Sequence, residues 1–166
     1  MAATVDIHCY CGSPLADDGA IAGGADLCSA DNCEYSAANR TTNPIILGDY
    51  SYEKWLRAHV SVLPDNWLGR FYYWGDGDIP VGTTLRAGVT AATPDPVNVP
   101  SIIAVNDFSL FTDLYRGVWD NAVYSVADLT ADPHIDNFLV FQLYASDTAI
   151  PGEWGPEVVY YEYQEV

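Results

Sequence analysis

A chain of 166 residues that is 49% hydrophobic can bury the core of one domain, with room for a small appendage. Six Lys and Arg against 23 Asp and Glu give a formal net charge of −17, which disfavours nucleic acid as a partner because phosphate contacts need a basic face. No apolar run approaches the roughly 18 residues of a membrane helix, and "MAATVDIHCYCG" lacks the basic region and apolar centre of a secretory signal; Met1 suggests a native start.

Residues 1–45 are rich in Ala, Gly, Asp, Ser and Asn, hold all four cysteines and carry few large apolar side chains. "GSPLADDGAIAGGAD" (12–26) is punctuated by Gly and Asp, which is loop chemistry. We therefore expect an irregular, loop-like N-terminal arm stapled by its cysteines. "GDYSYEKWLRAHVSVLP" (48–64) reads two ways. As a helix, Tyr52, Trp55, Leu56, His59, Val60 and Leu63 form one stripe. As a strand, Tyr50, Tyr52, Leu56, Ala58, Val60 and Val62 line one face, interrupted by Lys54. The β-rich sequence that follows, and the lack of a strong N-cap before it, favour the strand.

"GRFYYWGDGDIP" (69–80) is an aromatic strand ending in a turn at Asp76-Gly77-Asp78. "VGTTLRAGVT" (81–90) is a short β-branched segment, and the three prolines of "AATPDPVNVPS" (91–101) make a loop or an edge. A short helix fits only "NDFSLFTDLYRGVWDNAV" (106–123), through Phe108, Phe111, Leu114 and Tyr115. "NFLVFQLYA" (137–145) is the best central strand, and "SDTAIPGEWGP" (146–156) is a turn-rich connection. "EVVYYEYQEV" (157–166) closes the chain as a strand with Val159, Tyr161 and Tyr163 on one face. Short strands separated by turn clusters predict a mainly β domain over 46–166, a sandwich or a barrel.

The acidic residues are scattered, as at Asp49, Asp65, Asp107, Asp113, Asp120, Asp128 and Asp136, which describes a solvated acidic surface. In ordinary salt such a surface repels itself. In molar salt the screening length falls to about 3 Å and the repulsion fades. Replacing lysine by aspartate also removes aliphatic stems from the surface. The composition suits a salt-loving organism or its virus; an ordinary acidic domain, or one with a cationic partner, is the alternative. The single lysine, Lys54, reads as a remnant of lysine depletion, held by Glu53 or by a neighbouring subunit's carboxylate.

"YSYEKWLRAHV", "LGRFYYWGDGDIPVGTTLRAGVTAATPDPVNVPS" and "DNFLVFQLYASDTAIPGEWGPEVVYYEYQEV" follow one another as aromatic strands, a Gly-punctuated hairpin, a Pro-rich loop and a terminal tyrosine/acidic strand. The features sit at Tyr52, Trp55 and Leu56; at Pro80, Gly82, Leu85 and Gly88; at Asn137, Phe138, Gln142, Pro151 and Gly152; and at Tyr161, Tyr163 and Glu165. In style and order, residues 48–166 resemble the β-rich structural proteins of tailed phages. That resemblance implies an antiparallel β-sandwich, jelly-roll or immunoglobulin-like, serving as a virion structural component without catalytic residues. It also implies homo-oligomers and contacts with the major capsid or tail proteins of the same particle, assembled in the host cytoplasm. With the acidic composition, it points to a tailed virus of a haloarchaeon. The cysteine-rich arm falls outside the match.

Four cysteines in two close pairs, Cys9 and Cys11 with Cys28 and Cys33, suit a structural zinc site. Two disulfides, each joining one of Cys9 and Cys11 to one of the other pair, are the alternative and free buried cysteines a third; zinc or disulfides would be structural. Asp132, His134 and Asp136 in "DPHID" place metal-type donors at alternate positions, although a solvated loop explains them too. Asp76 and Asp78 lack the rest of a calcium loop. Asn39-Arg40-Thr41 matches a glycosylation acceptor, a short motif common by chance. His8, His59 and His134 are widely spaced, with no identifiable nucleophile beside them. Trp55, Trp67, Trp74, Trp119 and Trp154 suit a core, a subunit interface or a carbohydrate platform.

Overall fold

Phe138–Ala145 offers water almost nothing, and the chain folds around it. In a computed structural model describing residues 2–21, 23–150 and 157–165, this segment is strand β8, buried except at half-buried Tyr144. The strands before it are β1 (Thr4–Cys11), β2 (Ala16–Ala20), β3 (Lys54–Val62), β4 (Trp67–Gly75), β5 (Thr83–Thr90), β6 (Asn106–Asp107) and β7 (Gly117–Ser125), and β9 (Val159–Glu165) follows it. One sheet runs in the order β2-β1-β3-β8-β5-β6, the other in the order β7-β4-β9, and the pairings are antiparallel. Both sheets bury one face in a shared core, where Val5, Ala58, Val60, Leu85, Leu139 and Phe141 meet Leu68, Phe71, Tyr73 and Trp119. The protein is therefore a mainly β, two-sheet antiparallel sandwich.

Within 48–64, Lys54–Val62 is a strand, as the β-rich context favoured. Leu56, Ala58 and Val60 turn to the shared core, while Trp55 belongs to a second, smaller core with Tyr10, Phe138, Val140 and Ala104. That second core covers the outer face of the large sheet. Gly88 lies directly beneath the covering loop, where a Cβ would meet the Ile103 carbonyl oxygen at 1.8 Å. At the other sheet, Val159 and Tyr163 pack on the main core, and the Tyr161 and Tyr163 hydroxyls donate to the Val5 and Ala3 carbonyls.

The N-terminal segment is stapled by a Cys9–Cys33 disulfide, and residues 23–35 contain no helix or strand. It is not detached from the sandwich, however. β1 pairs with β3 from Thr4 to Tyr10, so the expected division at residue 45 does not coincide with a break in the sheet. The strand arises because Val5 and Ile7 alternate with Asp6 and His8, a period-2 pattern hidden within a Gly/Asp-rich composition. The short helix expected within 106–123 is one 3-10 turn, Phe108–Leu110, and residues 117–123 belong to β7. Two six-residue helices occur elsewhere: α1 (Ala37–Thr42), capped by Ser36, and α2 (Val126–Ala131), with a Ser125/Asp128 capping box. Pro151, Gly152 and Trp154 lie outside the described residues.

Lys54 corrects a sequence expectation. It is 2% exposed, and its amine donates to the carbonyls of Ala30 and Asn32. Glu53 is also buried, but it accepts from the Trp55 indole at 3.1 Å and the Val97 amide at 3.3 Å. The lysine therefore anchors the 28–33 loop from below.

Candidate functional site

The outer face of the large sheet is polar where β1 meets β3. Asp6 pairs with His59, His8 with Arg57 and Tyr10 with Trp55. Because side chains alternate, Asp6, His8 and Tyr10 share a face with Trp55, Arg57 and His59. The segment following α2 then runs alongside β3: the Val60 amide donates to the Pro133 carbonyl at 2.6 Å and the Ile135 amide to the Ala58 carbonyl at 3.1 Å. This places His134 opposite His59. The protein's three histidines thus meet, with ring centroids 4.4 Å apart for His8 and His59, 4.5 Å for His59 and His134 and 5.7 Å for His8 and His134.

Carboxylates flank this group. Asp17 of β2 lies with its oxygens 2.9 and 3.0 Å from His8 Nδ1, and its Oδ2 is 3.6 Å from His134 Nε2. On the other side of the same ring, His134 Nδ1 lies 3.2 Å from Asp132 Oδ1. Burial would raise the Asp17 carboxyl, but hydrogen bonds from His8 and the Gly19 amide, and then the His8 and His134 charges, hold it below its ordinary range. Burial, followed by the neighbouring His134 and His8, keeps His59 below its usual value. Asp17 is thus held as an ionised carboxylate, the state in which it can ligate a metal. The donor atoms of His8, Asp17 and His134 lie within 4.8 Å of one another and can hold a metal ion.

The cysteines divide differently from either expected arrangement. A C-x-C on a strand puts Cys9 and Cys11 on one face, yet Cys9 alone bonds Cys33, and Cys11 and Cys28 are free thiols. Cys28 is buried, with its sulfur 3.5 Å from the Ala30 carbonyl and 3.6 Å from the Asn39 amide nitrogen. Cys11, Asp18 and Cys33 also cluster within 4.8 Å, but a sulfur engaged in a disulfide is not a thiolate ligand. Burial, then Asp18 and Asp31, pushes the Cys11 thiol up and makes it a poorer nucleophile. Thiol titration of denatured, unreduced protein is expected to find two reactive thiols per chain. Zero or four would contradict this arrangement.

The other sequence motifs resolve individually. Of the "DPHID" donors, Asp132 and His134 come together on a loop, while Asp136 stays exposed and its amide meets the Tyr124 hydroxyl. Asp76-Gly77-Asp78 starts the loop from β4 to β5, with Gly77 at φ 88°, and is not the expected hairpin turn, since those strands lie in different sheets. There Glu157 is pushed up to about 6 by burial and then by Asp76. Asn39 is buried and hydrogen-bonded to Asp26 and Asn32, so its amide is not presented for glycosylation. The histidine cluster is the site that sequence spacing missed. Reading 4–11 as a strand would have put His8 and His59 on one face, but nothing local announces His134. No helix among the described residues is long and apolar enough to cross a membrane. No family model, curated protein or solved structure matches the chain.

Proposed function

We propose that the protein is a non-enzymatic structural component of a virion, of the kind made by tailed viruses of salt-loving archaea. In this reading it decorates or stabilises the capsid, or forms part of the neck or tail, through homo-oligomeric contacts and contacts with the major capsid or tail proteins. One observation carries the reading: large apolar side chains stand exposed at one end of the sandwich, among the exposed carboxylates of Asp49, Asp76, Asp78, Asp113 and Asp147. The end of β4 adjoins the starts of β7 and β9, the start of β5 adjoins the end of β8, and the 76–82 loop joins the two sheets at that same end. There Ile46, Val81, Leu114, Tyr115 and Ile150 stand exposed, Val81 at 81% and Leu114 at 86%. Large apolar side chains exposed at one end of a charged surface suit a contact face.

Sedimentation in molar NaCl tests this. The wild-type protein is expected to self-associate, and Leu114→Asp combined with Val81→Asp to return it to the monomer at unchanged melting temperature. A wild-type chain that stays monomeric at high concentration removes the homo-oligomer. Stability is also expected to rise from dilute buffer to molar salt as the −17 charge is screened.

A second reading, a module that binds a host glycan or cell-surface protein, draws on the opposite end. There Trp67, Arg70, Val123 and Gln164 line a depression of about 310 Å³, and Trp67 is 47% exposed. An aromatic ring beside amide and guanidinium donors suits a sugar. A glycan array comparing wild type with Trp67→Ala separates the two readings.

A further inference from the structure

We propose that His8 Nδ1, Asp17 Oδ2 and His134 Nε2 form a binding site for a divalent transition ion, with Zn²⁺ the first choice. The site does not depend on the assembly role proposed above. Three features of the geometry lead to it.

The first is spacing. Two donors each about 2.1 Å from one tetrahedral ion lie about 3.4 Å from each other. Asp17 Oδ2 is 2.9 Å from His8 Nδ1 and 3.6 Å from His134 Nε2, which brackets that value. The second is the state of His134. Its Nδ1 faces the Asp132 carboxylate at 3.2 Å, an acceptor, so the proton belongs on Nδ1. Nε2 then carries a lone pair, is buried, and has no hydrogen-bond partner among the described residues. With the ring neutral, that lone pair faces the Asp17 carboxylate 3.6 Å away, and a cation between them, proton or metal ion, satisfies both. A carboxylate behind a ligating histidine is the usual way in which ring orientation and tautomer are fixed at metal sites. The third is the surrounding charge. Asp6, Asp17 and Asp132 lie around the imidazoles, against the single guanidinium of Arg57.

On binding, His8 turns its Nδ1 lone pair to the ion and carries its proton on Nε2. The His59 ring, packed against both His8 and His134, holds them in place. The ion then ties β2, β1 and the loop after α2 together across the face of β3. Two nitrogens and one carboxylate oxygen favour Zn²⁺, Co²⁺, Ni²⁺ or Cu²⁺ over Ca²⁺ and Mg²⁺. The fourth position is left to water.

The test uses full-length, chelator-stripped protein in molar NaCl, where loose binding to surface carboxylates is screened. Wild type is expected to take up one Zn²⁺ per chain, undiminished by excess Ca²⁺. Co²⁺ is expected to give a tetrahedral spectrum without thiolate charge-transfer bands. Affinity is expected to fall by about 10- to 100-fold in Asp132→Asn, by more in His134→Ala and Asp17→Asn, and not at all in Cys11→Ser. Absence of a stoichiometric ion, a thiolate spectrum, or full affinity in His134→Ala would each overturn the site. Should a variant fail to fold, Zn²⁺ must still protect His8 and His134 of the wild-type protein from acylation by diethyl pyrocarbonate; unprotected histidines refute the proposal.

Discussion

Replacing Gln142 by leucine is expected to cost about 4 kcal/mol of stability, enough to threaten folding of a domain whose whole margin is about 5–15 kcal/mol. Gln142 is the one polar residue on the central strand β8, and it is 1% exposed. Its side-chain amide donates to the carbonyls of Ser51, Val97 and Val99, and its oxygen accepts from the Ser101 amide at 2.9 Å. One side chain thus fixes both the entry to β3 and the proline-rich loop against the sheet. Leucine has nearly the same shape but satisfies none of these groups. The Val97 carbonyl keeps a second donor, the Glu53 amide at 2.9 Å, so the penalty falls mainly on the Ser101 amide and the Ser51 and Val99 carbonyls. Each buried group left without a partner costs about 1–3 kcal/mol. Urea unfolding of wild type and variant in molar NaCl measures the difference, and a change below about 1 kcal/mol would show that water or a shifted loop replaces the amide. Gln142→Glu is expected to cost at least as much, since it keeps an acceptor for Ser101 but turns a carboxylate oxygen towards the Ser51 and Val99 carbonyls and buries a charge.

The contrast between Gln142 and its neighbours shows what the sequence made legible. The apolar run around it identified β8 and alternation identified β9, because a half-buried strand must sort its side chains by face; β3 fitted a helical stripe as well, and its β-rich context decided it. β1 was obscured. "TVDIHCYC" alternates as well as β3 does, but it sits in a Gly/Asp-rich stretch whose composition spoke for loop. The helices were missed for another reason. Six residues are too few for a 3.6 period to register, so only the caps could have shown them, and Ser125-Val-Ala-Asp128 does carry that signature. The candidate metal site was illegible because it is tertiary. Its donors come from β1, β2 and the loop after α2, brought together by strand order that no local pattern encodes. The Cys9–Cys33 link was within reach only as one of several pairings.

Lys54→Met is expected to destabilise the protein by about 3 kcal/mol, a result that separates two accounts of the chain's single lysine. Depletion of lysine across an acidic surface suggests that the survivor is incidental, and substitution at an exposed site usually changes stability by less than about 0.5 kcal/mol. The structure gives Lys54 a different role. Its stem is buried on β3, and its ammonium is bonded to the carbonyls of Ala30 and Asn32, within the loop that carries Cys28 and Cys33. Burial holds the amine below its ordinary value, so the charge itself is a burden on folding; Cys28, Asp31, Cys11 and Asp26 offset part of that burden. What the residue contributes is donors to carbonyls that the backbone turns inward, of which the Ala30 oxygen also accepts from the Cys28 thiol. Methionine fills most of the same volume, so the loss measured is that of the hydrogen bonds rather than of packing. The loop should then loosen, and with it the seat of Cys28. The second expected result is therefore faster alkylation of the Cys28 thiol in folded Lys54→Met than in wild type. Equal stability together with equal thiol reactivity would return Lys54 to the surface account.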